Sequence, residues 1–141
     1  MRRLIWLAVA AVVAAAIAAG WLAVSEAERR SRLALGERLY AGHCASCHGE
    51  NLEGQPDWQT PLASGRLPAP PHDASGHTWH HSDEELFTIT KEGMASLVPG
   101  YSSDMPAYAS VLTDGEIRAV LGFIRSTWPE RERAYQGERN K

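Results

Sequence analysis

The stretch of sequence that decides the fold is Cys44-Ala45-Ser46-Cys47-His48, which contains both cysteines of this 141-residue chain. Two thiols three positions apart at the end of a helix lie on one face, and the imidazole that follows them points to the same side. Two cysteines this close together are too few for a disulfide framework. The motif therefore predicts that Cys44, Cys47 and His48 act together on one bound group.

The pattern C-x-x-C-H is the arrangement associated with covalent attachment of a c-type haem. Both thiols can form thioether bonds to the vinyl edges of one porphyrin, while a neutral His48 offers a ring nitrogen to the iron. The alternatives are a redox-active thiol pair, half of a zinc site, and two unrelated thiols. A thioredoxin-like pair needs a βαβ context and a closed zinc site needs further ligands at matching spacing, and the sequence provides neither. We therefore predict one haem c, attached through Cys44 and Cys47.

Outside the motif, local patterns predict helices separated by long loops. Apolar residues recur at helical spacing over residues 33–40, just before the motif. Capping-box patterns at 82–85 and 113–116 each open an amphipathic helix. The first of these helices should end at Gly93, and the second before the proline that follows Trp128. With no strand-like alternation of useful length, the predicted class is all-α.

The remaining segments are predicted to be irregular. Residues 49–76 are rich in Gly, Pro, Asp and Ser, which predicts a long loop wrapped around something. The charged residues 26–32 predict a short exposed linker, and the charged residues 129–141 predict a frayed tail. Residues 33–128 would then form the haem domain.

The amino-terminal segment is an uninterrupted apolar run over residues 4–24, preceded by two arginines. About 20 apolar residues suffice to cross the hydrocarbon core as a helix, and basic residues ahead of the span favour a cytoplasmic amino terminus. We expect residues 1–25 to anchor the chain in the bacterial cytoplasmic membrane, with the haem domain on the periplasmic side. The alternative is a cleaved signal with an A-x-A-like site at Ala16 and Ala18, which would leave the domain soluble in the periplasm.

These features together resemble the small single-haem class I cytochromes c, in a membrane-anchored bacterial form, over about residues 33–128. The resemblance rests on Gly36 and Tyr40 ahead of the motif, Met-Pro-Ala-Tyr at 105–108, and a last helix beginning Leu-Thr-Asp at 112–114. It implies a cytochrome c-like fold of roughly three to four helices wrapped around one covalent haem. It also implies that Gly36 and Tyr40 pack closely against the last helix, on Val120, Phe123 and Ile124.

Two internal methionines, Met94 and Met105, are candidates for the sixth ligand of the iron. A thioether is a soft, neutral ligand that favours ferrous iron. Met105 is the predicted metal ligand because Pro106 restrains the backbone beside it and because Met-Pro at this place resembles the distal loop of the family. Met94 is predicted to be a packing residue. The alternative is a second histidine ligand, for which the rivals are His43, His72, His77, His80 and His81.

Three further features are candidate partners of the haem and its ligand. Residues 68–71, Pro-Ala-Pro-Pro, leave carbonyl groups unpaired, and one of these is predicted to accept the second ring proton of His48. Arg66 and Trp79 carry N–H donors suited to a haem propionate. The alternatives are an ordinary rigid loop and plain packing. Two other tryptophans, Trp58 and Trp128, are predicted to be structural.

With His48 and Met105 on the iron, no coordination position remains open for a substrate. The predicted function is therefore a single-electron carrier and not an enzyme, shuttling electrons between redox proteins such as a membrane oxidoreductase and an oxidase. The alternatives are a peroxidase-like haem enzyme and a redox or gas sensor, each with a displaceable methionine. Without the first two arginines, 12 basic residues stand against 17 acidic ones, which argues against a nucleic-acid partner.

Overall fold

The computed structural model describes residues 2–141, and over that range it is all-helical, which confirms the predicted class. Between the helices the chain forms turns and irregular loops, including the whole of residues 49–76. The elements in chain order are α1 (Arg2–His43), α2 (Ala45–His48), α3 (Asp83–Glu92), α4 (Asp114–Thr127) and α5 (Glu130–Arg139), with 3-10 turns at Thr78–His80 and Met94–Ser96.

The chain divides between Ser31 and Arg32 into two compact units. In the first unit the side chains described on α1 are mostly exposed, and they include large apolar ones such as Trp21 and Leu22. The stretch Ala11–His43 is long and apolar enough to cross a membrane. Its 18-residue apolar window has a mean hydropathy of 1.5, and none of that window is buried. By length and composition, this helix is a candidate membrane span or signal segment.

Residues 26–32, for which we predicted a linker, are helical and belong to α1. The carboxylate of Glu26 accepts hydrogen bonds from Arg29 and Arg30, at 2.8 and 2.7 Å. Ion pairs at these i, i+3 and i, i+4 spacings stabilise an exposed helix. The charged residues 26–32 therefore continue α1 and do not interrupt it. The domain limits proposed from the sequence stay predictions.

The two capping boxes are confirmed. Ser82 Oγ accepts the amide of Glu85 at 3.2 Å, and the Ser82 amide donates to the Glu85 carboxylate at 2.8 Å. Thr113 and Glu116 exchange the same two hydrogen bonds at 3.3 and 2.8 Å. Each pair satisfies backbone donors that a helix leaves free in its first turn. Helix α3 ends at Gly93, whose φ of +86° favours glycine.

Helix α4 lies at the centre of the core. Its Ile117, Val120 and Ile124 side chains are 0%, 2% and 3% exposed, and burial of each contributes about 1.5–3 kcal/mol. The buried residues form two clusters that share the partly buried Leu39 and Leu121 at their edges. The Tyr40 cluster consists of Tyr40, Leu52, Leu86, Val120, Ile124 and Trp128, and the Phe87 cluster consists of Phe87, Tyr108, Leu112 and Ile117.

Within the second unit, the end of α1 packs against α4 at Gly36. A Cβ atom at this position would overlap the carbonyl of Ala119 and press on the Cβ of Phe123. One turn later, the centroid of the Tyr40 ring lies 5.6 Å from that of Phe123. Tyr40 also belongs to the same buried cluster as Val120 and Ile124 of α4. The close contact that the resemblance implied between Gly36, Tyr40 and the last helix is confirmed.

The prediction of a frayed tail is wrong, because residues 130–139 form α5 and pack on the domain. Gln136 is 1% exposed, and the Tyr135 ring meets the Trp79 ring edge-on at 5.2 Å. Asn140 accepts the backbone amide of Asp83 at 2.8 Å, which satisfies a free donor in the first turn of α3. Counting apolar residues missed this docking, since long polar side chains can bury their aliphatic stems against a domain.

We expect Gly36→Ala to destabilise the full-length protein by about 1–3 kcal/mol, because the new methyl group must push α1 and α4 apart. The measurement is chemical-denaturant unfolding in detergent. Gly42→Ala in the same helix is the matched control, since nothing lies within 4 Å of a Cβ there and alanine favours a helix over glycine. If the two variants were equally stable, the close packing at Gly36 would be contradicted.

Candidate functional site

The motif folds into the single helical turn α2, directly after α1. The amides of Cys47 and His48 both donate to the Cys44 carbonyl, at 3.1 and 2.9 Å. Cys44 is partly buried against the Tyr40 cluster, whereas Cys47 is exposed. The turn thus brings Cys44, Cys47 and His48 together at the edge of the core.

The surroundings of the thiols disfavour the two alternative uses of a C-x-x-C pair. Burial raises the pKa of the Cys44 thiol to about 11, with a further rise from neighbouring Cys47. A redox-active pair needs a lowered thiol pKa, because the thiolate is the attacking species. Across the residues that the structure describes, no three His, Cys, Asp or Glu side chains gather as a metal ion would require, so a zinc site lacks its further ligands.

The His48 side chain is buried and held in one orientation. It is 7% exposed, and its Nδ1 lies 2.8 Å from the carbonyl oxygen of Pro70. Since a carbonyl only accepts, Nδ1 carries the proton and Nε2 keeps its lone pair free. Burial lowers the pKa of His48, which favours the neutral form that binds metal ions. The predicted carbonyl partner from residues 68–71 is thereby confirmed.

Two glycines make room for the Pro70-Pro71 backbone, which carries the carbonyl that His48 needs. A Cβ at Gly54 would overlap the junction of Pro70 and Pro71, and a Cβ at Gly76 would overlap the Pro71 carbonyl. Gly54 also has a φ of +70°, which favours glycine, and its amide donates to the His48 carbonyl at 2.7 Å. The irregular segment therefore wraps around the motif, as the sequence predicted.

Two aromatic side chains tie this segment to the core. The Tyr40 hydroxyl donates to the Gly49 carbonyl at 2.8 Å, at the point where the segment begins. The indole N–H of Trp128 donates to the His72 carbonyl at 2.7 Å, and Trp128 is 2% exposed. The structural role predicted for Trp128 is confirmed. Trp58 stacks within the loop, its ring 5.2 Å from that of His77.

Met105 is partly buried against the Phe87 cluster. Three residues later, the Tyr108 hydroxyl donates to the carbonyl of His43 at 2.7 Å, immediately before the motif. The pKa of Tyr108 is raised by burial first, and then by its nearness to Cys44 and Cys47. Tyr108 therefore ties the loop that carries Met105 to the cysteines. The only sequence signal for this tether was the aromatic in Met-Pro-Ala-Tyr.

The other methionine, Met94, begins a 3-10 turn and is partly buried. It belongs to neither of the two clusters that the described residues form, so they give no support to the packing role predicted for it.

Two buried N–H groups fit the acidic groups of a haem. Within residues 2–141, Arg66 Nε and Trp79 Nε1 are buried with no hydrogen-bond partner, and such orphaned donors are costly. Both were predicted to donate to a propionate, which would satisfy them. Arg66 also pairs with Asp104, the neighbour of Met105, at 2.9 Å. The thiols, the free Nε2 of His48, the thioether of Met105 and these donors are the types of group that hold a haem and its propionates.

The histidines of the loop are distributed over different surroundings. His72 stacks on His48 with the ring centroids 3.9 Å apart and the planes 20° apart. Burial lowers the pKa of His72 well below its usual value, so it too favours the neutral form. His80 is exposed and lies against Trp79, with the ring centroids 3.8 Å apart.

We expect Gly76→Ala to destabilise the protein by about 1–3 kcal/mol, because its methyl group would displace the Pro71 carbonyl and strain the bond between His48 and Pro70. Denaturant unfolding of the full-length protein measures the loss. Gly115→Ala is the control, since a Cβ at that helical position meets nothing within 4 Å. A Gly76→Ala protein as stable as the control would contradict the close contact between Gly76 and the Pro71 carbonyl.

The comparisons with known proteins place this chain in a family. A sequence model of the family described as cytochrome c oxidase, cbb3-type, subunit III matches residues 31–124, which include Cys44, His48 and Met105. No curated protein and no solved structure matches the chain. The family match covers 94 of the 141 residues and agrees with the resemblance read from the motif. The chain therefore belongs to this family of c-type cytochromes and is a haem protein of electron transfer.

Proposed function

We propose that the domain carries single electrons on one haem c, bound by thioether links from Cys44 and Cys47, with His48 and Met105 as the two axial ligands. The observation that carries the proposal is the state of His48. Its Nδ1 proton is committed to the Pro70 carbonyl, so only Nε2 is left to bind a metal. A haem iron bound there supplies the one-electron change between its ferric and ferrous states.

The cysteines are suited to covalent attachment. In forming a thioether, each thiol adds across a vinyl group, so that the sulfur bonds to one carbon and the other carbon gains a hydrogen. Cys44 is held against the Tyr40 cluster, whereas Cys47 is open to the surface. The attachment through both would hold a porphyrin at the edge of the core and leave one side of it near solvent, where a redox partner could approach.

Met105 is the proposed sixth ligand because the tether through Tyr108 keeps its loop near the motif. The Tyr108 hydroxyl bonds to the carbonyl just before Cys44, and two backbone hydrogen bonds at 3.1 and 3.0 Å fix the same loop to the end of α3. His72 is a poor rival, because its ring is stacked on that of His48 and would approach a bound iron from the same side as His48. A methionine opposite a histidine raises the reduction potential and closes the iron to substrates.

The setting of the domain is proposed from the amino-terminal helix and the family. The apolar part of α1, within the candidate span Ala11–His43, would tether the domain to the cytoplasmic membrane, with the haem on the periplasmic side. The family description names an oxidase subunit, so we propose a membrane-bound redox complex as partner. The electron carrier would then receive electrons from a membrane oxidoreductase and pass them to an oxidase.

We expect Met105→Ala to abolish the sulfur-to-iron charge-transfer band of the ferric protein and to let carbon monoxide bind rapidly to the ferrous protein. The reason is that the variant opens one axial position. Visible spectra and stopped-flow mixing with carbon monoxide measure both effects, and the reduction potential should fall. Met94→Ala is the matched control and should keep the band.

Retention of the band in Met105→Ala, or its loss in Met94→Ala, would contradict the ligand assignment. Rapid binding of carbon monoxide to the unaltered protein would contradict a closed iron and favour a haem enzyme or a gas sensor.

A further inference from the structure

The imidazole of His72 has no role in the function proposed above, yet it lies in direct contact with the proposed iron ligand. Its ring is nearly parallel to that of His48, with centroids 3.9 Å apart and planes 20° apart. The Tyr40 ring makes a T-shaped contact with it, with centroids 6.4 Å apart and planes at 70°. His48 is therefore backed by a second imidazole that an aromatic residue of α1 supports.

Contacts from three different segments hold His72 itself in place. Its Nδ1 lies 2.8 Å from Thr78 Oγ1, and Thr78 is 5% exposed. Its backbone amide donates to the Leu52 carbonyl at 2.8 Å, and its carbonyl accepts the indole proton of Trp128 at 2.7 Å. A side chain fixed in this way can in turn restrict the rotation of the ring that it faces.

We propose that His72 is a positioning residue that sets the rotation of the His48 ring about its bond to the iron, an inference that rests on His48 being the axial ligand. The hydrogen bond to Pro70 fixes one corner of the His48 ring. The stacked face of His72 fixes the plane, because rotation of His48 would drive its edge into the neighbouring ring. The plane of an axial imidazole relative to the haem nitrogens determines the splitting of the iron d orbitals, so this contact tunes the iron electronically.

A role in packing alone would make a different demand on position 72. Any apolar side chain of similar size would fill the space equally well, and a polar ring would bring no advantage among buried neighbours. The imidazole instead combines a flat face toward His48 with a nitrogen that Thr78 anchors. Orientation of the ligand, and not the filling of volume, is what this combination provides.

The test is the electron paramagnetic resonance spectrum of the ferric full-length holoprotein, with haem content normalised by pyridine haemochrome. His72→Leu keeps bulk but loses the flat face, and we expect its largest g value to shift and broaden. His72→Phe restores a flat face and should return the spectrum toward that of the unaltered protein. Thr78→Val leaves the imidazole but removes its anchor, and should broaden the signal.

The matched control is Trp58→Leu, which removes a different stacked pair in the same loop, that of Trp58 on His77. It should leave the g values unchanged. Unchanged g values in both His72→Leu and Thr78→Val would overturn the proposal, as would a shift in His72→Phe as large as that in His72→Leu. Should His72→Leu fail to incorporate haem, the Phe and Thr78 variants decide the question by the same criteria.

The unaltered protein separates this inference from the function on which it rests. A low-spin ferric signal together with the methionine charge-transfer band supports the proposed ligands before any His72 variant is measured. A normal spectrum of this kind, with no effect of the variants, would contradict the role of His72 alone. A high-spin spectrum would contradict the ligand assignment itself.

Discussion

The hydrogen bond from His48 Nδ1 to the Pro70 carbonyl spans 22 residues of sequence, and the arrangement of the site depends on it. It selects the tautomer that leaves Nε2 free, and it requires an unpaired carbonyl at one defined place. Proline lacks an amide and keeps the backbone extended, which leaves such a carbonyl available. Gly54 and Gly76 then follow as necessities, because side chains there would overlap the proline backbone. This bond thus explains why glycines and prolines occupy these positions in a loop that has no regular structure.

The second constraint is the close approach of α1 and α4, which gives the motif a fixed base. With only hydrogen at Gly36, the backbones come near enough for Tyr40 to join the core of α4. From that position the Tyr40 hydroxyl donates to the first residue of the loop, and the Tyr40 ring makes a T-shaped contact with His72. The packing of the two helices thereby helps to fix the positions of the His72 and His48 rings. In the Phe87 cluster, Tyr108 likewise connects the segment that carries Met105 to the residue before the motif, through its hydroxyl.

How much of this could be predicted from the sequence depended on whether the signal was local. Both capping boxes lie within four consecutive residues, and their structures are as predicted. The cysteine motif is almost as short and was just as readable, and its role in binding haem stays a prediction. The sequence predicted that a carbonyl of residues 68–71 bonds to His48, but not which one. The register of this loop depends on contacts with distant glycines. Docking of α5 and stacking of His72 were not predicted at all. A hydrogen bond between residues 57 positions apart, and rings that meet only after folding, leave no periodic pattern in the sequence. The axial role of Met105 stays a prediction.

The central claim is that one haem is bound covalently through Cys44 and Cys47. Intact-mass spectrometry of the full-length protein, made in a host that matures c-type cytochromes and extracted with acidic acetone, tests it most directly. We predict a mass equal to the polypeptide plus one haem that survives the extraction, and loss of this stable adduct when both cysteines are replaced by alanine. A mass equal to the polypeptide alone, or a haem that the extraction removes from the unaltered protein, would contradict the account.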